Sequence, residues 1–147
     1  MIIEGRIDIA RSPDDVFDYL ADMGNWKAID KALLKVSPDG AVGLGSSGTM
    51  THKRPGVKVK TSWEVTAFER AGRFEILVTG FGYALRETVT LTEIPSGARV
   101  DITDLTLPTS IVGRVMVAVS GRTIRRELEV RNQRLKTLLE TDARSAG

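Results

Sequence analysis

Two carboxylates on strand-like segments are the residues best placed to do chemistry. Along Leu85 to Leu91, one face carries Leu85, Glu87, Val89 and Leu91. Along Val100 to Thr106, one face carries Val100, Ile102, Asp104 and Thr106. Period-two alternation of this kind marks the inward side of a sheet, so both acids sit among apolar neighbours. The turn signal Pro95-Ser96-Gly97 joins the segments as a hairpin. Its reading puts Asp104 opposite Val89 and diagonal to Glu87, about 7–8 Å apart between backbones. Carboxyls withdrawn from water keep their protons to higher pH and act as general acids near neutrality. Thr106 adds a hydroxyl. Glu87 and Asp104 are therefore the catalytic candidates, against a plainer expectation that backbone, water or an arginine satisfies them.

Other chemistries are narrower. The chain has no cysteine, which excludes disulfides, thiolate catalysis and cysteine metal sites. His52 is the single histidine, so no multi-histidine metal motif exists in one chain. The strand reading sets His52 beside Val57 or Val59, roughly 20–25 Å along the sheet from the row holding Val65 and Glu87. No His52–Glu87 dyad is expected. Gly43-Leu44-Gly45-Ser46-Ser47-Gly48 spells G-x-G-x-x-G, but a dinucleotide site needs a helix after it. Thr49-Met50-Thr51-His52 follows and reads as a strand, so a flexible rim loop is the expectation. No metal and no cofactor are expected.

These side chains need a sheet and a cover. The 147 residues predict a single domain spanning 1–147. The first strand, Ile2 to Ala10, alternates, with Ile3, Gly5, Ile7 and Ile9 on one face. Ser12-Pro13-Asp14-Asp15 is a helix start with Ser12 as cap, and Val16, Phe17 and Leu20 form its buried side. Asp22 caps a second short helix over about Asn25 to Ala32. From Gly48 to Leu107 the chain reads as a meander with turns at Arg54-Pro55-Gly56, Arg70-Ala71-Gly72, Gly80-Phe81-Gly82 and Pro95-Ser96-Gly97. Its inward set begins with Met50 and His52, then Val57, Val59, Thr61, Trp63 and Val65, then Phe74, Ile76 and Val78.

One helix, about Thr109 to Thr141, ends the chain. Gly113, Val117, Gly121, Ile124, Leu128, Leu135 and Leu139 share one face of it. Its first half, Ile111 to Val119, is apolar all round. Its arginines are interspersed with Glu127 and Glu129, which reads as a solvated surface. The polar tail, Asp142 to Gly147, is expected to fray. The predicted class is α+β: a curved antiparallel sheet with two short helices and a long C-terminal helix packed across its concave face.

Three stretches carry a resemblance. They are Ser12-Pro13-Asp14-Asp15-Val16-Phe17 with Ala21-Asp22-Met23-Gly24-Asn25-Trp26, then Val65-Thr66-Ala67-Phe68, then the terminal Leu138-Leu139-Glu140. Together they resemble the START-like or helix-grip superfamily, which includes polyketide cyclases and dehydrases, pollen-allergen-type carriers and coenzyme Q-binding proteins. The resemblance implies an apolar cavity holding a lipid-like, isoprenoid or polyketide-like molecule, and it assigns no catalytic residue.

The expected function is binding of a small hydrophobic molecule for transport or sequestration. Trp63, Val65, Ile76, Tyr83, Leu85, Glu87, Asp104, Thr106, Val117 and Gly121 are the candidate ligand contacts. A cyclase or dehydratase using the cavity acids is the alternative. A membrane- or partner-binding module, through transient membrane contact or a homodimer, is a third. The net charge of +2 is too small to argue for nucleic acid. With no membrane-length apolar run and no secretion signal, a cytoplasmic location is expected.

Overall fold

A computed structural model describes residues 1–146, with side chains described through Thr141. The backbone of Asp142 to Ala146, where fraying is expected, is helical, and Gly147 lies outside the described residues. Strand β1 (Ile2–Ile9) buries Ile3 and Ile9. Helix α1 (Pro13–Leu20) starts where Ser12 Oγ accepts from the Asp15 amide at 3.1 Å. It buries Val16, Phe17 and Leu20. Phe17 meets Phe68 and Phe74 edge-on, with centroids 5.0 and 6.3 Å away, a favourable arrangement of ring quadrupoles.

Asp22 accepts from the Gly24 amide at 2.9 Å and starts a 3₁₀ turn at Met23–Asn25. Helix α2 (Trp26–Ile29) follows and is shorter than expected. Asp30 ends it by turning extended (φ −120°, ψ 104°) and accepting from the Ala32 amide at 3.0 Å. Its carboxylate offers the chain an alternative to the next helical bond. Trp26 lies buried with Nε1 donating to the Leu20 carbonyl at 2.8 Å.

Six more strands complete the sheet: β2 (Leu33–Ser37), β3 (Ser47–Arg54), β4 (Val57–Glu69), β5 (Arg73–Gly80), β6 (Tyr83–Ile94) and β7 (Gly97–Pro108). The order is β1-β7-β6-β5-β4-β3-β2, every pair antiparallel. Strand β2 is not among the elements expected from sequence. It buries only Leu33 and Val36, and its pairing with β3 is irregular, so no clean alternation marks it.

The inward set is largely buried, with His52 and Leu85 half-buried. Val57, at the start of its strand, is exposed instead. One register differs. The β6–β7 turn has only Pro95 and Ser96 between the paired residues Ile94 and Gly97. Glu87 therefore faces Asp104 directly, and Leu85 faces Thr106. A two-residue difference leaves every side chain on its own face.

Helix α3 (Ile111–Ala146) crosses this sheet. Its 36 residues span about 54 Å at the usual rise. It packs chiefly along β1, with smaller contacts to β7 and α2. Leu128, Leu135 and Leu139 are buried on its inner face, while Val117, Gly121 and Ile124 are half-buried. Polar anchors add to this. Lys136 donates to the Asp8 carbonyl at 2.6 Å, Arg11 to the Leu139 carbonyl at 2.9 Å, and Arg134 to the Ala28 carbonyl at 3.0 Å.

The start of α3 rests on the Gly80-Phe81-Gly82 turn, where all three φ values are positive. The Gly82 carbonyl accepts from the Thr109 amide at 2.7 Å. A Cβ placed on Gly113 would collide with that same carbonyl oxygen. Helix propensity alone makes Gly113→Ala stabilising by about 1 kcal/mol. The collision is with backbone and costs about 2–3 kcal/mol, so it wins. Urea unfolding of Gly113→Ala is expected to show net destabilisation. A stabilised variant would mean that the turn and helix do not meet this closely.

Candidate functional site

Glu87 and Asp104 face each other from β6 and β7 and are 6% and 5% exposed. Arg131 comes down from α3 and grips Glu87 with both terminal nitrogens, at 2.5 Å to Oε1 and 3.2 Å to Oε2. This two-pronged contact is the strong form of a guanidinium–carboxylate pair. Burial by itself would lower the Arg131 pKa, but the Glu87 and Asp104 carboxylates outweigh it and the net shift is upward. Arg131 is therefore a fixed cation.

One cation cannot neutralise two carboxylates. Burial, and then the charge of Glu87, push the Asp104 pKa up to about 8, with Arg131 opposing them. Asp104 is thus an uncharged acid at neutral pH, able to share its proton with Glu87. The cluster is then one cation, one anion and one neutral acid, without net charge. Asp104 Oδ1 is buried and finds no hydrogen-bond partner among the described residues. A buried acceptor left in that state costs about 1–3 kcal/mol.

A second acid lies across the cavity. Asp30 Oδ2 is 3.6 Å from His52 Nε2. Burial works to raise Asp30, yet His52 and Arg131 prevail and hold its carboxyl below the ordinary range. At the outer edge, Arg54 of β3 meets Glu127 of α3 at 3.0 Å. Burial raises the phenol pKa of Tyr83, so it stays a protonated donor.

These groups line one cavity of about 90 Å³ between sheet and helix. Its wall includes Asp30, His52, Arg54, Tyr83, Glu87, Asp104, Glu127 and Arg131 on the polar side. Trp26, Met50, Ile76, Val78, Leu85, Ile124 and Leu128 form the apolar side. A simple greasy hollow is the expectation from sequence. The structure instead has a small amphipathic space, because buried Trp26, Trp63, Phe17, Phe74 and Met50 fill most of the interior.

Of the ligand contacts read from sequence, Ile76, Tyr83, Leu85, Glu87 and Asp104 line this cavity. Trp63 and Val65 lie elsewhere in the core, Trp63 donating from Nε1 to the Thr49 carbonyl at 3.1 Å. Thr106 is buried opposite Leu85 and its carbonyl accepts from the N-terminal amine at 2.9 Å. Val117 and Gly121 are half-buried on α3. A Cβ on Gly121 would come within 3.2 Å of Met1 Sδ, so that glycine makes room for the N-terminus.

His52 pairs with Val59, one of the two positions its strand reading offers. It lines the same cavity as Glu87, and the carboxylate beside it is Asp30. One sequence expectation needs correction. Arg131 is no solvated helix charge but the buried partner of Glu87. The only sequence signal for it is its wheel position beside Leu128 and Leu135. The Gly43–Gly48 segment precedes strand β3, not a helix. Its Gly45 amide donates to the Val65 carbonyl at 2.9 Å, and the Val65 amide donates to the Ser46 carbonyl at 2.8 Å. Among the described residues, no group of three or more His, Cys, Asp or Glu side chains is placed to hold a metal.

Comparison with known proteins adds a family and a fold. Residues 2–140 match the family model described as polyketide cyclase/dehydrase and lipid transport. No curated protein matches the sequence. A solved structure from Thermus thermophilus superposes with a TM-score of 0.78 at 16% identity, covering 97% of this chain and 99% of that one. One from Chromobacterium violaceum gives 0.73 at 15% identity, covering 95% and 98%. A solution structure from Bacillus halodurans gives 0.70 at 16%, covering 95% and 97%. At such identities the likeness is one of fold.

The raised Asp104 pKa has a stability consequence. An unfolded chain gives up this proton near the ordinary value of 3.8, and the folded chain holds it to about 8. Between those values the native state binds more protons than the unfolded one. Stability from this group is complete below about pH 4 and declines as pH rises toward about 8. Asp104→Asn stays neutral and is expected to lack that decline. Its Tm relative to wild type should improve steadily from about pH 5 to about pH 8. A pH-independent difference in Tm would place the Asp104 proton elsewhere.

Proposed function

Since the chain belongs to the polyketide cyclase/dehydrase and lipid transport family, we propose that it binds a small, mostly hydrophobic molecule bearing a hydroxyl-type donor, for transport or sequestration. The observation that carries this reading is Asp104 Oδ1, a buried acceptor without a partner among the described residues, on a residue of the cavity wall. A ligand O–H or N–H would satisfy it. Glu87 and Arg131 are already paired and would keep the acid neutral. The apolar wall from Trp26, Ile76, Leu85 and Leu128 would take the hydrocarbon body. Apolar burial contributes about 25 cal/mol per Å², and the hydroxyl sets orientation.

Size sets a condition. A cavity of about 90 Å³ holds about three waters at ~30 Å³ each. Small-molecule sites are usually about 300–1,000 Å³. A larger molecule would need this space to widen, and parting the Arg54–Glu127 pair at its edge joins it to an open groove that shares Asp30 and Arg131. That pair is partly exposed, so it resists opening by only ~1 kcal/mol or less.

One observation favours a second reading. A neutral carboxylic acid at physiological pH beside a carboxylate is the arrangement of a proton donor with its acceptor. In a dehydratase-type reaction, Asp104 would give its proton to the leaving hydroxyl as the C–O bond breaks. Its carboxylate would take a proton from the adjacent carbon as the double bond forms, so that water leaves and the acid is restored. The Glu87 charge favours that return. The two readings separate on one variant. Asp104→Asn keeps an oxygen acceptor and so retains binding, but it has no acidic proton and so abolishes turnover.

Farnesol compared with farnesyl methyl ether tests the binding reading, since the two differ by one donor. Fluorescence displacement or calorimetry is expected to show farnesol binding about tenfold tighter, the usual consequence of one satisfied buried acceptor. Asp104→Leu is expected to erase the difference. Equal affinity for both compounds, or binding of neither, would contradict it.

A further inference from the structure

The first two turns of α3 turn an apolar face to solvent. Ile111, Val112, Val115 and Val119 are 79%, 62%, 58% and 74% exposed. Ile111, Val115 and Val119 follow each other at four-residue steps and form one stripe. Phe81 and Leu107 are also exposed. They join the stripe at the same end of the molecule, because the Gly80–Gly82 turn bonds to Thr109 and packs on Gly113. Phe81 has φ 53°. That left-handed conformation is costly for an aromatic residue. Glycine or asparagine would hold the turn more cheaply, so a large ring at an exposed tip points to a role for the ring itself.

Charge then selects the partner. Between Asp104 and Glu127 the sequence contains no carboxylate. It contains Arg114, Arg122, Arg125 and Arg126, all of them exposed. Arg122 and Arg126 extend the apolar stripe along the same helix face. Ile111 to Val119 spans about 12 Å of helix, which at an oblique angle suits an insertion of about 5–10 Å into a bilayer interface. The arginines one turn further along then reach the phosphates. A second copy of this chain fits poorly. It would set two arginine-rich surfaces against each other with no carboxylate of the patch to balance them.

We propose that this end of the molecule docks on an anionic lipid surface, with Phe81, Leu107, Ile111, Val115 and Val119 entering the interface and Arg122 and Arg126 on lipid phosphates. The docking does not depend on what the cavity holds. It does place the membrane beside Tyr83, which follows the Gly80–Gly82 turn and lines the cavity.

Flotation with vesicles tests this on the full chain. One set is phosphatidylcholine, and the other contains about one third phosphatidylglycerol. Wild-type protein is expected to float with the anionic vesicles at low salt and to be released by high salt. Arg122→Gln and Arg126→Gln are each expected to weaken binding about fivefold. The double variant I111D/V115D is expected to abolish it with an unchanged Tm, since both side chains already face solvent. No flotation at low salt would overturn the proposal, as would flotation undiminished by I111D/V115D. Sedimentation showing a dimer that I111D/V115D dissolves would also overturn it, by making a second copy the occupant.

Discussion

Two carboxyl groups on neighbouring strands, Glu87 and Asp104, share a single buried guanidinium, and that shortage of positive charge governs the interior. Arg131 reaches them from α3, so the same contact fixes helix to sheet. Removing one partner of such a pair costs about 3–5 kcal/mol, because the other charge stays buried and alone. The surplus carboxylate has one inexpensive state, which is protonated. An uncharged acid in the wall of an amphipathic cavity follows from this arithmetic of charges, before any ligand is considered.

The same helix serves two environments. Its second half is held to β1 and α2 by Leu128, Leu135 and Leu139 and by the Lys136 and Arg134 bonds to main-chain carbonyls. Its first half sets Gly113 on the Gly82 turn and Gly121 beside Met1, and turns valines and isoleucine outward. The apolar, arginine-flanked first half lies where Tyr83 follows the Gly80–Gly82 turn and lines the cavity. Under the two proposals, ligand entry and surface contact fall at one end of the molecule.

Much of this is legible in the residues. Alternation places Glu87 and Asp104 inward, because a buried face leaves no freedom in side-chain parity. It does not set the pairing, since turns of different even length give the same parity, and Pro95-Ser96 is the tighter solution. Strand β2 is hidden because five residues with two buried side chains carry no period. Arg131 is hidden for a different reason. A charged residue on a helix rich in Arg and Glu looks solvated until a partner from another element is known. His52 and Asp30 line one cavity with Glu87 through the packing of separate elements, which no local pattern records. The faces of the elements are local information, and the charge balance of the site is not.

The protonation of Asp104 is the point on which the rest turns. Titration of its side-chain carboxyl by ¹³C NMR, in protein labelled at aspartate, reads that proton directly. The expected result is a single aspartate resonance that titrates near 8, while Glu87→Gln, which removes the neighbouring negative charge, moves that midpoint downward. Every aspartate titrating below about 5, as unperturbed carboxyls do, would contradict this and leave the cavity with an ionised, uncompensated carboxylate that the fold as described does not explain.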